Sequence, residues 1–159
     1  MNKNIRISGQ ILSRYNEILS EDALKFIEEI HQNFNSERLE LLNERKKRQE
    51  NIEKGNKLDF LSETKKIRES HWKIKNIPDD LLKRQVEITG PPVPKKMFIT
   101  ALNSGADCYM TDFEDSLTPT FQNLIQGQLN VKDSINKKID FIDKKSGKKY
   151  VLNEKTSVL

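Results

Sequence analysis

Three carboxylates, Asp112, Glu114 and Asp115, lie within four residues and form the part of this sequence best suited to chemistry. They end an apolar stretch, residues 106–113, whose pattern predicts a β-strand. Because side chains alternate between the faces of a strand, Asp112 and Glu114 are expected to project together from its carboxyl end. Active sites of parallel α/β folds are built at that end. Two carboxylates there suit a hard cation such as Mg²⁺, bound directly or through its waters.

A structural interpretation of the same acidic run stays open. Asp115 or Ser116 would cap a turn, and the remaining acids would be solvated. Other candidates are weaker, since His31 and His71 are isolated and are expected to be surface or packing residues. Cys108 falls in the middle of the predicted strand and is expected to be a small buried hydrophobe.

Composition excludes several classes of protein. The chain has 159 residues, is 33% charged and carries a formal charge of +4 that is scattered along it. A nucleic-acid partner normally requires basic residues clustered on one face. One cysteine allows neither an internal disulfide nor a thiolate metal cluster, which favours a reducing compartment. With no signal-like or membrane-spanning apolar run, the chain is expected to be cytoplasmic, without a nucleic-acid or membrane partner.

The first half of the chain is helical in pattern. Over residues 20–56, Ser20 is expected to cap a first helix whose apolar positions follow helical spacing. Asn35 or Ser36 is expected to cap a second helix, and Gly55 to end it.

The second half alternates strands and helices. Strands are predicted at about 86–89 and 106–113, with a helix over 95–104 between them. A longer helix is predicted to begin near Thr118, and a β-hairpin to cover 139–152. This alternation with short connections predicts a parallel sheet and therefore the α/β class.

Ordered motifs across the chain resemble malate synthases of the shorter, A-type form. The resemblance rests on Val86–Pro91, Ala101–Ala106, Asp112–Ser116, Asn123–Asp133 and, in the first half, Phe34-Asn35 followed by Arg38–Leu42.

The resemblance implies a TIM barrel preceded by an α-helical clasp and followed by a helical C-terminal plug. Residues 1–80 would then form the clasp, and residues 81–159 the first two β/α units of the barrel with a β-hairpin insertion. The resemblance thus covers an incomplete barrel, since a full one takes roughly 250 residues.

The same resemblance implies a reaction, the Mg²⁺-dependent condensation of acetyl-CoA with glyoxylate to malate and CoA in the glyoxylate bypass. Asp112 and Glu114 would lie beside the metal and its waters, and Asp115 and Ser116 near the entry of the acyl-CoA. The family's direct metal ligands, catalytic aspartate and arginine have no counterparts in residues 1–159. This polypeptide is therefore expected to be inactive alone, unless a separate chain supplies the rest of the barrel.

Two other functions are compatible with parts of the sequence. One is a related acyl-CoA lyase of the citrate-lyase β type, whose barrel has a similar acidic strand end. The other is a non-catalytic helical binding module that uses the basic segment 36–54. The long helical clasp and the hairpin at 139–152 favour malate synthase over the lyase.

Overall fold

The fold mixes helices and strands, as the α/β prediction requires. The computed structural model of the protein describes residues 5–159. Its elements are α1 Glu21–Glu53, α2 Lys65–Arg68, β1 Glu87–Gly90, α3 Lys95–Leu102, β2 Cys108–Thr111, α4 Phe121–Ile135, β3 Asp140–Ile142 and β4 Lys149–Val151. The chain divides into two compact units, one formed mainly by residues 24–76 and one by residues 6–23 with 77–159.

Helix α1 is one continuous helix of 33 residues, so the predicted break into two helices is wrong. Its predicted start is confirmed, because the Ala23 N–H donates to Ser20 Oγ at 3.2 Å. Asn35 does not cap a second helix, since its Oδ1 accepts from the Arg38 guanidinium at 2.9 and 3.1 Å. The helix ends before Gly55, whose φ of 95° suits glycine.

The unit of residues 24–76 exposes many apolar side chains. No residue of α1, which the structure describes in full, is buried. Phe26, Phe34 and Trp72 are each more than half exposed. Among residues 5–159, no helix is both long enough and apolar enough to cross a membrane.

The core of the second unit is built on two parallel strands. β1 pairs with β2 in the register Glu87↔Cys108 to Gly90↔Thr111, and α3 makes the crossover between them. One buried cluster joins Phe98, Ile99 and Leu102 of α3 to Tyr109 and Ile139.

β2 also has a parallel neighbour on its other side. The Tyr109 N–H donates to the Val158 carbonyl at 2.7 Å, and the Val158 N–H donates to the Asp107 carbonyl at 3.0 Å. Val158 and Cys108 form a parallel bridge. β2 therefore lies between β1 and the chain segment at Val158.

The predicted β-hairpin is confirmed as β3 and β4, and Asp143 organises its turn. The Asp143 carboxylate accepts from Lys96 Nζ at 2.7 Å, and from the backbone N–H groups of Lys145 at 2.9 Å and Ser146 at 3.3 Å. The Lys96 ammonium, followed by these N–H groups, lowers the pKa of Asp143 to about 2. The same contact ties the hairpin to α3.

An NMR titration of the Asp143 carboxyl is expected to give a midpoint near pH 2, against about 3.9 for an ordinary aspartate. Because the folded pKa lies below the unfolded one, the stabilisation from Asp143 is present above about pH 4 and is lost as the pH falls towards 2. Lys96→Met should raise the midpoint. A midpoint near 4 in the unsubstituted chain would contradict the ion pair.

Residues 6–19 pack on α4, a contact that the sequence patterns did not predict. Tyr15 is fully buried there, together with Ile125 and Leu129 of the helix. Helix α4 itself is capped by Thr120, whose Oγ1 accepts the Asn123 N–H at 3.1 Å.

Candidate functional site

Asp112 is the first residue after β2, and its carboxylate organises the following loop. Oδ1 accepts the N–H groups of Glu114 and Asp115, both at 2.9 Å, and Oδ2 accepts that of Ser116 at 2.9 Å. These backbone donors, Asp115 foremost, hold the pKa of Asp112 below its ordinary value, because they stabilise the charged form. The carboxylate is therefore ionised at neutral pH and holds the turn.

The strand predicted over 106–113 is shorter in the structure and ends at Thr111. The alternation of side chains along the strand therefore does not extend to Glu114. The expectation that strand geometry makes Glu114 project beside Asp112 is wrong. The structural interpretation is partly met, although it is Asp112 that makes the cap. Asp115 donates its N–H group to the Asp112 carboxylate, and Ser116 donates its N–H group to that carboxylate and its hydroxyl to the Asp112 carbonyl at 3.4 Å. Glu114, Asp115 and Ser116 have exposed side chains. Their roles in binding stay predictions.

The hydrogen bonds of Asp112 limit how many further donors its carboxylate can accept. Within residues 5–159, no group of three His, Cys, Asp or Glu side chains could hold a metal ion. Asp112 Oδ1 already accepts two N–H groups, whereas Oδ2 accepts one and keeps a lone pair for a further donor. Mg²⁺ usually keeps several waters, which carboxylates can accept as hydrogen bonds.

The loop after β1, residues 91–94, is held by its carbonyl groups. Tyr109 Oη donates to the Pro91 carbonyl at 3.1 Å, and Asn130 Nδ2 donates to the Pro92 carbonyl at 2.7 Å. The Asp112 N–H donates to the Gly90 carbonyl at 2.9 Å, which joins the ends of the two strands.

The two loops border an open cleft of about 570 Å³. Its walls include Val93 and Pro94 on one side, and Ser116 and Thr118 on the other. Lys95, the first residue of α3, also lines it and brings a positive charge. Such a cleft, with apolar walls, hydroxyl groups and one cation, suits an extended ligand that carries anionic groups.

The remaining predicted candidates stay outside this site. Cys108 is 7% exposed, as predicted, and burial raises the pKa of its thiol, which makes it a poor nucleophile. His31 and His71 are exposed in the other unit. Sequence reasoning did not single out Asn130, although it lies within the motif Asn123–Asp133 and beside Leu129 in an apolar helix pattern.

Comparison with known proteins agrees with the motifs. The family described as "Malate synthase, N-terminal domain" matches residues 3–66. A malate synthase of Myxococcus xanthus is 46% identical over 145 residues, which cover 91% of this chain and 26% of that protein. Malate synthase A of Escherichia coli is 43% identical over 143 residues, covering 90% and 26%.

The similarity extends to eukaryotic proteins. A glyoxysomal malate synthase of Cucurbita maxima is 38% identical over 157 residues, covering 99% of this chain and 28% of that protein. The chain thus spans about a quarter of the length of the curated relatives it matches. These matches confirm the resemblance: the chain corresponds to the N-terminal portion of malate synthases.

Proposed function

We propose that this chain provides the N-terminal part of a malate synthase, which condenses acetyl-CoA with glyoxylate to give malate and CoA. The observation that carries this proposal is the similarity to malate synthases over 91% of the chain at 46% identity. The acidic loop of Asp112 lies at the carboxyl end of a parallel strand, where such a reaction would be placed. The lone reduced cysteine favours the cytoplasm as the location.

We further propose that β1 and β2 are the first strands of a TIM barrel. The parallel bridge from Cys108 to Val158, on the side of β2 away from β1, supports this order. In such barrels each parallel strand lies beside the strands that precede and follow it in the chain. The bridge is what a third strand beginning at Val158 would form.

Within that site the loop acids would act through water. A bound Mg²⁺ would supply polarisation of the glyoxylate carbonyl. Asp112, held ionised by its three N–H partners, and the exposed Glu114 would accept hydrogen bonds from the metal's waters. The cleft bordered by Lys95 and Ser116 would admit the acyl-CoA, with the Lys95 ammonium near its anionic groups and with Asp115 at the rim.

A chimeric enzyme tests this function. Residues 1–159 would replace the matching N-terminal segment of the Escherichia coli malate synthase A, and glyoxylate-dependent release of CoA would be followed with a thiol reagent. We expect activity in the chimera, and none from residues 1–159 alone. The assay without glyoxylate is the control. A folded chimera that binds acetyl-CoA but releases no CoA would refute the proposal.

A further inference from the structure

The loop of residues 91–94 forms one wall of the cleft, and its composition limits how it can be held. Three of its four residues are proline, which has no N–H, so Val93 carries the loop's one backbone donor. The loop can be fixed to neighbouring elements mainly through its carbonyl oxygens. Two side chains take these oxygens, Tyr109 at Pro91 and Asn130 at Pro92.

The Asn130 contact is buried and its orientation is determined. Asn130 and Pro92 are both essentially inaccessible to solvent. A carbonyl oxygen only accepts hydrogen bonds, so the Asn130 Nδ2 group must face Pro92 at 2.7 Å. Its Oδ1 then accepts from Gln126 Nε2 at 3.0 Å. Both ends of the amide are therefore used, and no other common side chain of this size offers the same donor and acceptor.

Packing brings α4 close enough for this bond. A Cβ atom at Gly127 would lie 2.9 Å from the Pro92 ring and 2.9 Å from the Phe113 ring, so only glycine allows the approach without a shift. Tyr109 contributes from β2, where burial and the nearby Asp112 charge raise the pKa of its hydroxyl, which stays a donor. Donors from α4 and β2 thus hold the same proline-rich loop.

We propose that Asn130 is a positioning residue that holds loop 91–94 in the shape that the acyl-CoA cleft requires, with Tyr109 as its auxiliary. This inference rests on the proposed function, because it assigns acetyl-CoA to the cleft. Asn130 also borders the cleft, but its amide is occupied by Pro92 and Gln126. Asn130 therefore affects the binding of acetyl-CoA through the shape of the loop.

Asn130→Asp tests the proposal with little change in shape. At neutral pH a carboxylate cannot donate to the Pro92 carbonyl, so two acceptors face each other and the loop is released. In the chimera described above, we expect KM for acetyl-CoA to rise about tenfold, the equivalent of one hydrogen bond of about 1.4 kcal/mol. The values of kcat and of KM for glyoxylate should stay close to those of the unsubstituted chimera. Gln128→Glu, an exposed change on the same helix, is the matched control.

A second measurement does not depend on activity. The Val93 amide is the one backbone N–H in loop 91–94, so its NMR resonance in residues 1–159 reports on the loop alone. We expect it to shift or to divide into several signals in Asn130→Asp, and to stay in place in Gln128→Glu. The two proposals can fail separately. If the unsubstituted chimera is inactive but the Val93 resonance still shifts in Asn130→Asp, the proposed function is refuted and the positioning role is retained.

Tyr109→Phe covers the case in which Asn130→Asp does not fold. It removes only the hydroxyl bound to Pro91 and should move the Val93 resonance and KM for acetyl-CoA in the same direction. An unmoved Val93 resonance in the folded variants, or kcat and both KM values changing together, would overturn the positioning role.

Discussion

Replacing Tyr15 with alanine is expected to lower the free energy of unfolding by about 3–5 kcal/mol and to release residues 6–19 from α4. Tyr15 has no exposed surface and packs with Ile125 and Leu129. Its ring also meets Phe121 edge-on, with centroids 6.3 Å apart. Alanine would leave a cavity between the segment and the helix, because a packed interior relaxes only partly around a deleted side chain.

Urea unfolding of residues 1–159, with hydrogen exchange of the α4 amides, measures this effect. Tyr15→Phe keeps the ring and loses only the hydrogen bond to the Gln122 carbonyl, 3.2 Å long, at an expected cost of about 0.5–1.5 kcal/mol. Ile11, which is 55% exposed, gives the surface control as Ile11→Ala. A loss for Tyr15→Ala no larger than that of Ile11→Ala would contradict the prediction.

The ion pairs around Tyr15 contribute less than its burial. The Arg14 guanidinium binds both oxygens of Asp133, at 2.7 and 2.9 Å, and also contacts Glu17. Arg14 is 46% exposed and Asp133 only 9%, and hydrogen bonds to charged groups contribute about 1.5–3 kcal/mol. These bonds fix the register of the segment on α4, whereas the buried ring supplies most of the free energy that keeps it there.

Most of the fold could be predicted from local sequence patterns. Strand β1, helix α3 and the hairpin were predicted because the apolar spacing that indicates each of them acts within a few residues. The packing of residues 6–19 was not predictable this way, since Arg14 and Asp133 are 119 positions apart. Tyr15 is one aromatic residue in a segment without periodicity, so no pattern indicates that it is buried.

The position of the acidic loop after β2 was predictable, but its geometry was not. The acids at the end of β2 were found from their position after an apolar strand. Their orientation depends on Asp112, which can either continue the strand or bind the N–H groups of its own loop. The second arrangement satisfies three donors with one carboxylate, and a strand pattern contains no information about that competition.

Asp112→Ala is expected to lower kcat/KM of the chimera about 10–100-fold, the range typical for residues that orient a metal's surroundings. The substitution leaves the N–H groups of Glu114, Asp115 and Ser116 without their acceptor, so the loop loses its shape. The negative charge beside the proposed metal water is lost as well. Both effects act on the same site and should appear together in glyoxylate turnover.

Asp112→Asn separates the two effects. The amide keeps one oxygen for Glu114 and Asp115, but its NH₂ group faces the N–H of Ser116, and the charge is gone. We expect a loss smaller than that of Asp112→Ala if loop shape dominates, and an equal loss if charge dominates. Asp140→Ala removes an exposed carboxylate from the hairpin and should leave activity unchanged. Full activity of Asp112→Ala would show that the acidic loop has no part in the reaction, because neither its shape nor its charge would then be needed.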